Sequence, residues 1–268
     1  MPVASLPMYD MPEAHKAFDS LWAGLARHMK RAGIADVPET IAHDRPLREL
    51  WNDGELWLSQ CCGYDLVHGY AGKLRPVATP HYGAPGCKAY KYASVVVVAE
   101  ESEARDVLEM RGAVCVVNGF ESHSGMNALR ALVAPKSSNG RFFSQVRASG
   151  AHAASLEMIK RGEADVAAID CVTYALLREY RPGLLDGTRK LGRTYRAPGI
   201  PFVARWDQDG DTLARMRAAI FNAFADPDLT TARQALFLKD IEELPLSVYE
   251  EIVEFEKIAT RHGYPNLN

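Results

Sequence analysis

The run Ser94 to Ala99, SVVVVA, places four valines in a row with no polar residue among them. A strand with one face in water alternates apolar and polar positions, so a run that is apolar throughout must be covered on both faces. Such a strand needs helices above and below it. The sequence that follows supplies them in a unit used three times: short apolar run, polar turn, helical periodicity. Ala113 to Val117 leads through 118–124 into a helix ending near Val133. Phe143 to Arg147 leads through 148–151 into a helix ending near Arg161, and Ala164 to Ile169 leads through Asp170 into a helix ending near Tyr180. This alternation predicts an α/β fold.

The first third follows the same logic. Val3 to Met8 reads as a strand, and Asp10 and Pro12 can open a helix whose apolar stripe is Phe18, Leu21, Trp22, Leu25 and Met29, stopped at Gly33. Leu56 to Ser59 is a second strand, Gly63 starts a helix, and Val77 to Thr79 is a weak third strand. Ser102 can cap a helix over 103–110. After Pro198-Gly199-Ile200-Pro201 come a short strand, Phe202 to Ala204, and helical patterns at 212–225, 230–238 and 247–259. With 268 residues, and ~150 per domain, the chain is one or two domains long. The closing helices have too little sheet to stand alone, so they are expected to pack on the first block. The expected organisation is a discontinuous lobe 1 of residues 1–93 plus 200–268, and a lobe 2 of residues 94–199, with two crossings.

Ligands of open α/β sheets bind beyond the carboxyl ends of strands, in the turns that start helices. Three turns of the middle block are polar in the same way. Ser122, His123 and Ser124 precede Gly125 at one helix start, His152 stands at the next, and Asp170 at the third. Backbone N–H groups, the helix dipole and two hydroxyls make a site for an anion. Each residue also has a plainer role: the serines and Asp170 can cap their helices, and His152 can lie on the surface. A carboxylate beside an anion suits a ligand oxygen that carries a proton, or a ligand with an ammonium group. In the first block the matching turns offer Tyr9, then Gln60 and Tyr64, and Tyr92 precedes the valine strand. These tyrosines can close over a ligand or serve as core aromatics.

Other classes are disfavoured. A net charge of −3 argues against nucleic-acid binding through bulk charge. No apolar stretch approaches the ~20 residues of a membrane-spanning helix. The five cysteines, 61, 62, 87, 115 and 171, form no metal-ligand spacing and read as free thiols of a reducing compartment. Asp207-Gln208-Asp209-Gly210-Asp211 resembles a calcium loop, but its glycine is misplaced and Ala218 fills the twelfth position. No cofactor or metal is expected.

These turns resemble those of the phosphate/phosphite/phosphonate-binding proteins of ABC transporters, the PhnD-like family. Ser122-His123-Ser124-Gly125 stands where that family has a Ser-Thr-Ser-Gly-like turn, with His123 replacing the central hydroxyl residue. Gly150, Ala151, His152 and Ser155 match its Gly-Ser-His-x-x-Ser turn, Asp165 to Asp170 its Asp-Val-Ala-Ala-Val-Asp strand, and Tyr64, Tyr92 and Ser94 its tyrosine and Tyr-x-Ser positions. The resemblance implies a two-lobed type II periplasmic-binding-protein fold, with a ligand cleft between lobes and two hinge strands. It also implies a non-enzymatic binding protein for a small oxyanion such as phosphate or phosphonate, partnered with an ABC transporter permease. Tyr9, Gln60, Tyr64, Tyr92, Ser122, His123, Ser124, His152 and Asp170 are the expected ligand residues. Read from Met1, the chain shows no signal peptide, so the expectation is cytoplasmic, or periplasmic if a leader precedes it. Two alternatives stay open. One is a cytosolic enzyme or sensor on the same fold, using His123, His152 and Asp170 with Cys61 or Cys62 as an optional nucleophile. The other is a binder of an organic sulfonate or pyrimidine.

Overall fold

The computed structural model describes residues 1–268. The chain divides into two units: residues 1–83, 88–90 and 199–249 form the first, and residues 84–87, 91–198 and 250–268 the second. It opens in the first unit with β1 (Val3–Ala4), α1 (His15–Arg31), α2 (Leu47–Trp51), β2 (Leu56–Gln60), α3 (Gly63–Val67) and β3 (Leu74–Tyr82). The second unit holds β4 (Lys91–Tyr92), β5 (Ser94–Ala99) and β6 (Val114–Val117). A π-helical turn, His123–Asn127, then runs into α4 (Ala128–Val133), followed by β7 (Gln145–Ala148), α5 (His152–Lys160), β8 (Val166–Asp170), α6 (Cys171–Tyr180), β9 (Thr188–Arg193) and β10 (Ala197–Pro198). The chain returns to the first unit with β11 (Phe202–Arg205), α7 (Gly210–Ala225), α8 (Thr230–Ala235) and β12 (Leu238–Glu242), and ends in the second with α9 (Glu251–Arg261).

Each unit has a five-stranded mixed sheet, ordered β1-β2-β11-β3-β12 in the first and β7-β6-β8-β5-β9 in the second. The valine strand β5 spans the residues expected and runs antiparallel to β8 and β9, while β6 is parallel to β7 and β8. Val95 to Val98 are at most 2% exposed. Burying each contributes about 1.5–3 kcal/mol, which explains why this run dominates the sequence pattern. β4 and β10 pair antiparallel within the second unit.

Four strands escape the sequence pattern: the short pair β4 and β10, and β9 and β12, each of which lies at the edge of a five-stranded sheet. The sequences of β9 and β12, TRKLGR and LKDIE, carry charges at positions that an edge strand leaves to solvent. β12 begins where the helix expected over 230–238 would have ended. The helix expected over 103–110 shortens to a 3-10 turn at Val107–Met110, because Asp106 rather than Ser102 caps it, accepting from the N–H groups of Leu108 and Glu109. Asp10 caps nothing; it bonds to His43 instead.

α1 buries the whole expected stripe, Phe18, Leu21, Trp22, Leu25 and Met29, against α7 and α8. Leu25 is fully buried. Leu25→Ala is expected to cost about 2–5 kcal/mol, read as a lower urea midpoint with an unchanged slope.

The closing segment, expected from the sequence in lobe 1, packs in the second unit. Ile252, Phe255 and Ala259 of α9 face α4. The Asn268 carbonyl accepts from the N–H groups of Phe142 and Phe143 at 3.0 and 2.8 Å. The apolar face of α9 fixes that it must be covered, but not by which sheet. The chain passes between units after residues 83, 87, 90, 198 and 249, and the last of these passages carries α9 into the second unit. No helix is long and apolar enough to cross a membrane.

Candidate functional site

In the second unit the three polar turns converge, and backbone pairing explains how. β6 and β7 are parallel, with Val117 opposite Ala148, so the turns that follow them start side by side. The Ser149 N–H donates to the Val117 carbonyl at 2.9 Å. At the end of β8, Asp170 sits opposite Ser94. The Ser94 hydroxyl in turn donates to the Ser124 carbonyl at 2.8 Å.

The turn after β6 is built around a serine cap. Ser122 has extended backbone, and its Oγ accepts from the Gly125 N–H at 3.1 Å. Gly125 is required by close approach: a Cβ there would lie 1.9 Å from Asn118 Oδ1 and 3.0 Å from Asn118 Cγ. The turn thereby brings Ser122 Oγ within 3.4 Å of Ser124 Oγ, and Ser124 Oγ within 3.0 Å of His152 Nε2. Two hydroxyls and an imidazole edge thus meet at two helix starts.

His152 is the first residue of α5, and no side chain caps that helix. Gly150 precedes it at φ +90°, a left-handed conformation that suits glycine. Ser155, one turn on, is locked to Ser149 by a 2.7 Å hydroxyl pair. Burial pushes the His152 pKa down to about 4, so the ring is neutral at pH 7 and offers one donor and one acceptor. Its Nδ1 is buried without a hydrogen bond. The helix terminus, a neutral imidazole and hydroxyls together offer hydrogen bonds to an anion with no full cation among them.

Three other expected ligand residues make contacts of their own within the second unit. His123 is 1% exposed; its Nδ1 pairs with the Asn127 amide nitrogen at 3.1 Å, and Phe255 meets its ring edge-on at 4.9 Å. Burial, then the charge of Arg130, lowers its pKa to about 3. It joins the turn to α9 through Asn127, whose amide also donates to the Ile252 carbonyl. Tyr92 is buried 6.2 Å from the His123 ring. Asp170 is 2% exposed and takes the capping role: one carboxylate oxygen accepts from the N–H groups of Val172 and Thr173 at 2.7 and 3.1 Å.

The first unit has its own cluster at the ends of β1, β2 and β3. Tyr9 meets Tyr82 edge-on at 5.0 Å, and Gln60 donates to the Tyr82 hydroxyl at 3.2 Å. Gln60 is 1% exposed, and its Oε1 is buried without a partner. Tyr82 was missed because Val77 to Thr79 reads as a strand that stops three residues short of it. Tyr64 lies on α3 with its ring 4.5 Å from that of His68. Cys61 is fully buried beside Cys62, and burial lifts its thiol well above the usual range. A thiol kept protonated in this way is a poor nucleophile.

Comparisons with known proteins bear on the fold and the family. PhnD1 from Prochlorococcus marinus, solved in complex with methylphosphonate, superposes with a TM-score of 0.76 at 14% identity, covering 97% of this chain and 98% of that one. A binding protein component of an ABC phosphonate transporter from Pseudomonas aeruginosa gives 0.75 at 15% identity, with 98% and 88% covered. A Xanthomonas citri protein bound to chloride gives 0.71 at 16% identity, with 98% of each covered. These likenesses establish the two-lobed type II periplasmic-binding-protein fold. No curated protein sequence matches the chain. The family model described as "ABC transporter, phosphonate, periplasmic substrate-binding protein" matches residues 3–249. A match of that extent means that the chain belongs to the phosphonate-binding family of ABC-transporter substrate-binding proteins, which are not enzymes.

Proposed function

We propose that this protein captures a small tetrahedral oxyanion of the phosphonate or phosphate class and delivers it to an ABC transporter permease, acting in the periplasm as its family does. Ser122, Ser124, His152 and the uncapped start of α5 hold the anionic oxygens. The observation that carries this reading is the meeting of Ser124 Oγ and His152 Nε2 at 3.0 Å across two neighbouring helix starts. Asp170 sets the sign of selectivity. A buried carboxylate at the end of the adjoining strand favours a ligand that brings a proton or an ammonium group, and disfavours sulfate, which carries neither at pH 7. In the second unit Tyr92 is proposed as a further ligand residue; in the first unit Tyr9, Gln60 and Tyr64, with Tyr82 beside them, are proposed as that unit's ligand residues. The neutral His123 holds the turn rather than the ligand.

Calorimetric titration with methylphosphonate, 2-aminoethylphosphonate, phosphate, sulfate and taurine tests the class. Saturable one-to-one binding is expected for at least one phosphorus oxyanion, with sulfate weaker by at least about 10-fold, the equivalent of one lost hydrogen bond. Binding of taurine or sulfate alone would replace the phosphorus reading by a sulfonate one. Silence across the panel would remove it.

A further inference from the structure

Cys87 and Cys171 are far apart in sequence and fit no spacing pattern, yet their Sγ atoms lie 3.4 Å apart within the second unit. Both are free thiols. The backbone holds each in place. Cys171 is the first residue of α6, and its N–H donates to the Ala93 carbonyl at 3.1 Å. The Cys87 N–H donates to the Ala84 carbonyl at 3.0 Å, and the Gly86 carbonyl accepts from Arg196 Nε at 2.9 Å. Gly86 permits the approach. It has φ +132°, and a Cβ there would lie 2.9 Å from Cys171 Cβ and 3.0 Å from its Sγ. The segment 84–87 is thereby laid against the start of α6.

The two thiols differ as thiol–disulfide exchange requires. Cys87 is half-buried and can meet an oxidant, whereas Cys171 is 1% exposed. The contact with Cys87, then burial, then the Asp170 charge raise the Cys171 thiol far above its usual range, so Cys87 supplies the first thiolate. We propose that Cys87 and Cys171 close a reversible disulfide, with Cys87 attacking, Cys171 resolving, and a small-molecule or protein disulfide as oxidant. The Cys87 thiolate attacks one sulfur of the oxidant, forming a mixed disulfide and expelling the other sulfur as a thiolate. Cys171 then attacks Cys87 Sγ. The mixed S–S bond breaks, and the Cys171 proton goes to the departing sulfur. The two cysteines give up two electrons and two protons, and the oxidant becomes two thiols. An oxidising compartment such as the periplasm sustains the bond. It staples the segment 84–87 to α6 and closes a long loop of the chain. The pair departs from the reading of all five cysteines as free thiols, and it stands or falls independently of the oxyanion reading.

The test treats the reduced, folded full chain with excess oxidised glutathione at pH 8, alkylates the remaining thiols in denaturant, and maps the peptides by mass spectrometry. A Cys87–Cys171 cross-link is expected, reversed by dithiothreitol, with Cys61, Cys62 and Cys115 alkylated. Cys171→Ser should stop at a glutathione adduct on Cys87, and Cys87→Ser should carry no adduct on Cys171. Should either variant fold poorly, the wild-type map decides alone. Alkylation of all five cysteines overturns the proposal. So does a bond joining any other pair, or a glutathione adduct that stays on Cys87 of the wild type. Closure is also expected to raise the melting temperature by about 5 °C or more. An unchanged melting temperature overturns the role as a staple.

Discussion

Ser124→Ala and His152→Ala are each expected to weaken methylphosphonate binding by about 10- to 150-fold, the equivalent of losing a hydrogen bond of about 1.5–3 kcal/mol to a charged group. The expectation follows from the 3.0 Å contact that couples the two side chains. When one is removed, the other loses both its ligand bond and the partner that orients it. The double variant should therefore lose less than the product of the single losses, with a coupling of about 0.5–3 kcal/mol. Calorimetry on the four proteins measures this cycle, and circular dichroism checks that each is folded. Ser122→Ala is a mixed case. Its oxygen already accepts from the Gly125 N–H, so removing it costs the turn a cap worth about 1 kcal/mol as well as a ligand group.

Stability should fall steeply with acid, and His123 is the main reason. Its folded pKa is lowered to about 3 and that of His152 to about 4, in both cases first by burial. Above the ordinary histidine value of about 6.5 both rings are neutral, folded or unfolded, and neither makes stability depend on pH. Below it the unfolded chain binds protons that the folded chain refuses. Stability is then lost as pH falls through the window from about 6.5 toward 4 and 3, by at most about 1.4 kcal/mol per pH unit for each ring. His43 has the opposite sign. Burial lowers its pKa, but the bonds and charges of Asp10 and Asp19 outweigh that and raise it. Its contribution is fully present below 6.5 and fades as pH rises, so it does not cancel the acid loss. Urea unfolding at pH 7, 6, 5 and 4 measures the slope. His123→Leu should flatten it by up to about 1.4 kcal/mol per pH unit relative to wild type, whatever it does to stability at pH 7. Equal slopes in the two proteins would contradict a buried, neutral His123.

The parts legible in the sequence are those with a strong local physical signature. Four consecutive valines specify a doubly covered strand, and Ser122 and His152 announce helix starts that parallel pairing of β6 and β7 then sets side by side. The edge strands β9 and β12 were hidden because a strand with one free edge tolerates the charges that also mark loops. The position of α9 was hidden because amphipathicity names a buried face without naming its partner. His123 shows a finer limit. It stands between two hydroxyl residues in the sequence, yet the π-helical turn carries its ring to Phe255 and Asn127, while Ser124 meets His152. Neighbours in sequence at a helix start point in different directions, and only the backbone decides which side chains each one meets.

The most direct test of the account is a crystal structure of the protein grown with methylphosphonate. The account predicts phosphonate oxygens within hydrogen-bond distance, about 2.7–3.2 Å, of Ser124 Oγ, of His152 Nε2 and of a backbone N–H at the start of α5. His123 should still be paired with Asn127. A phosphonate bound elsewhere, with Ser124 and His152 still paired only to each other, would contradict it.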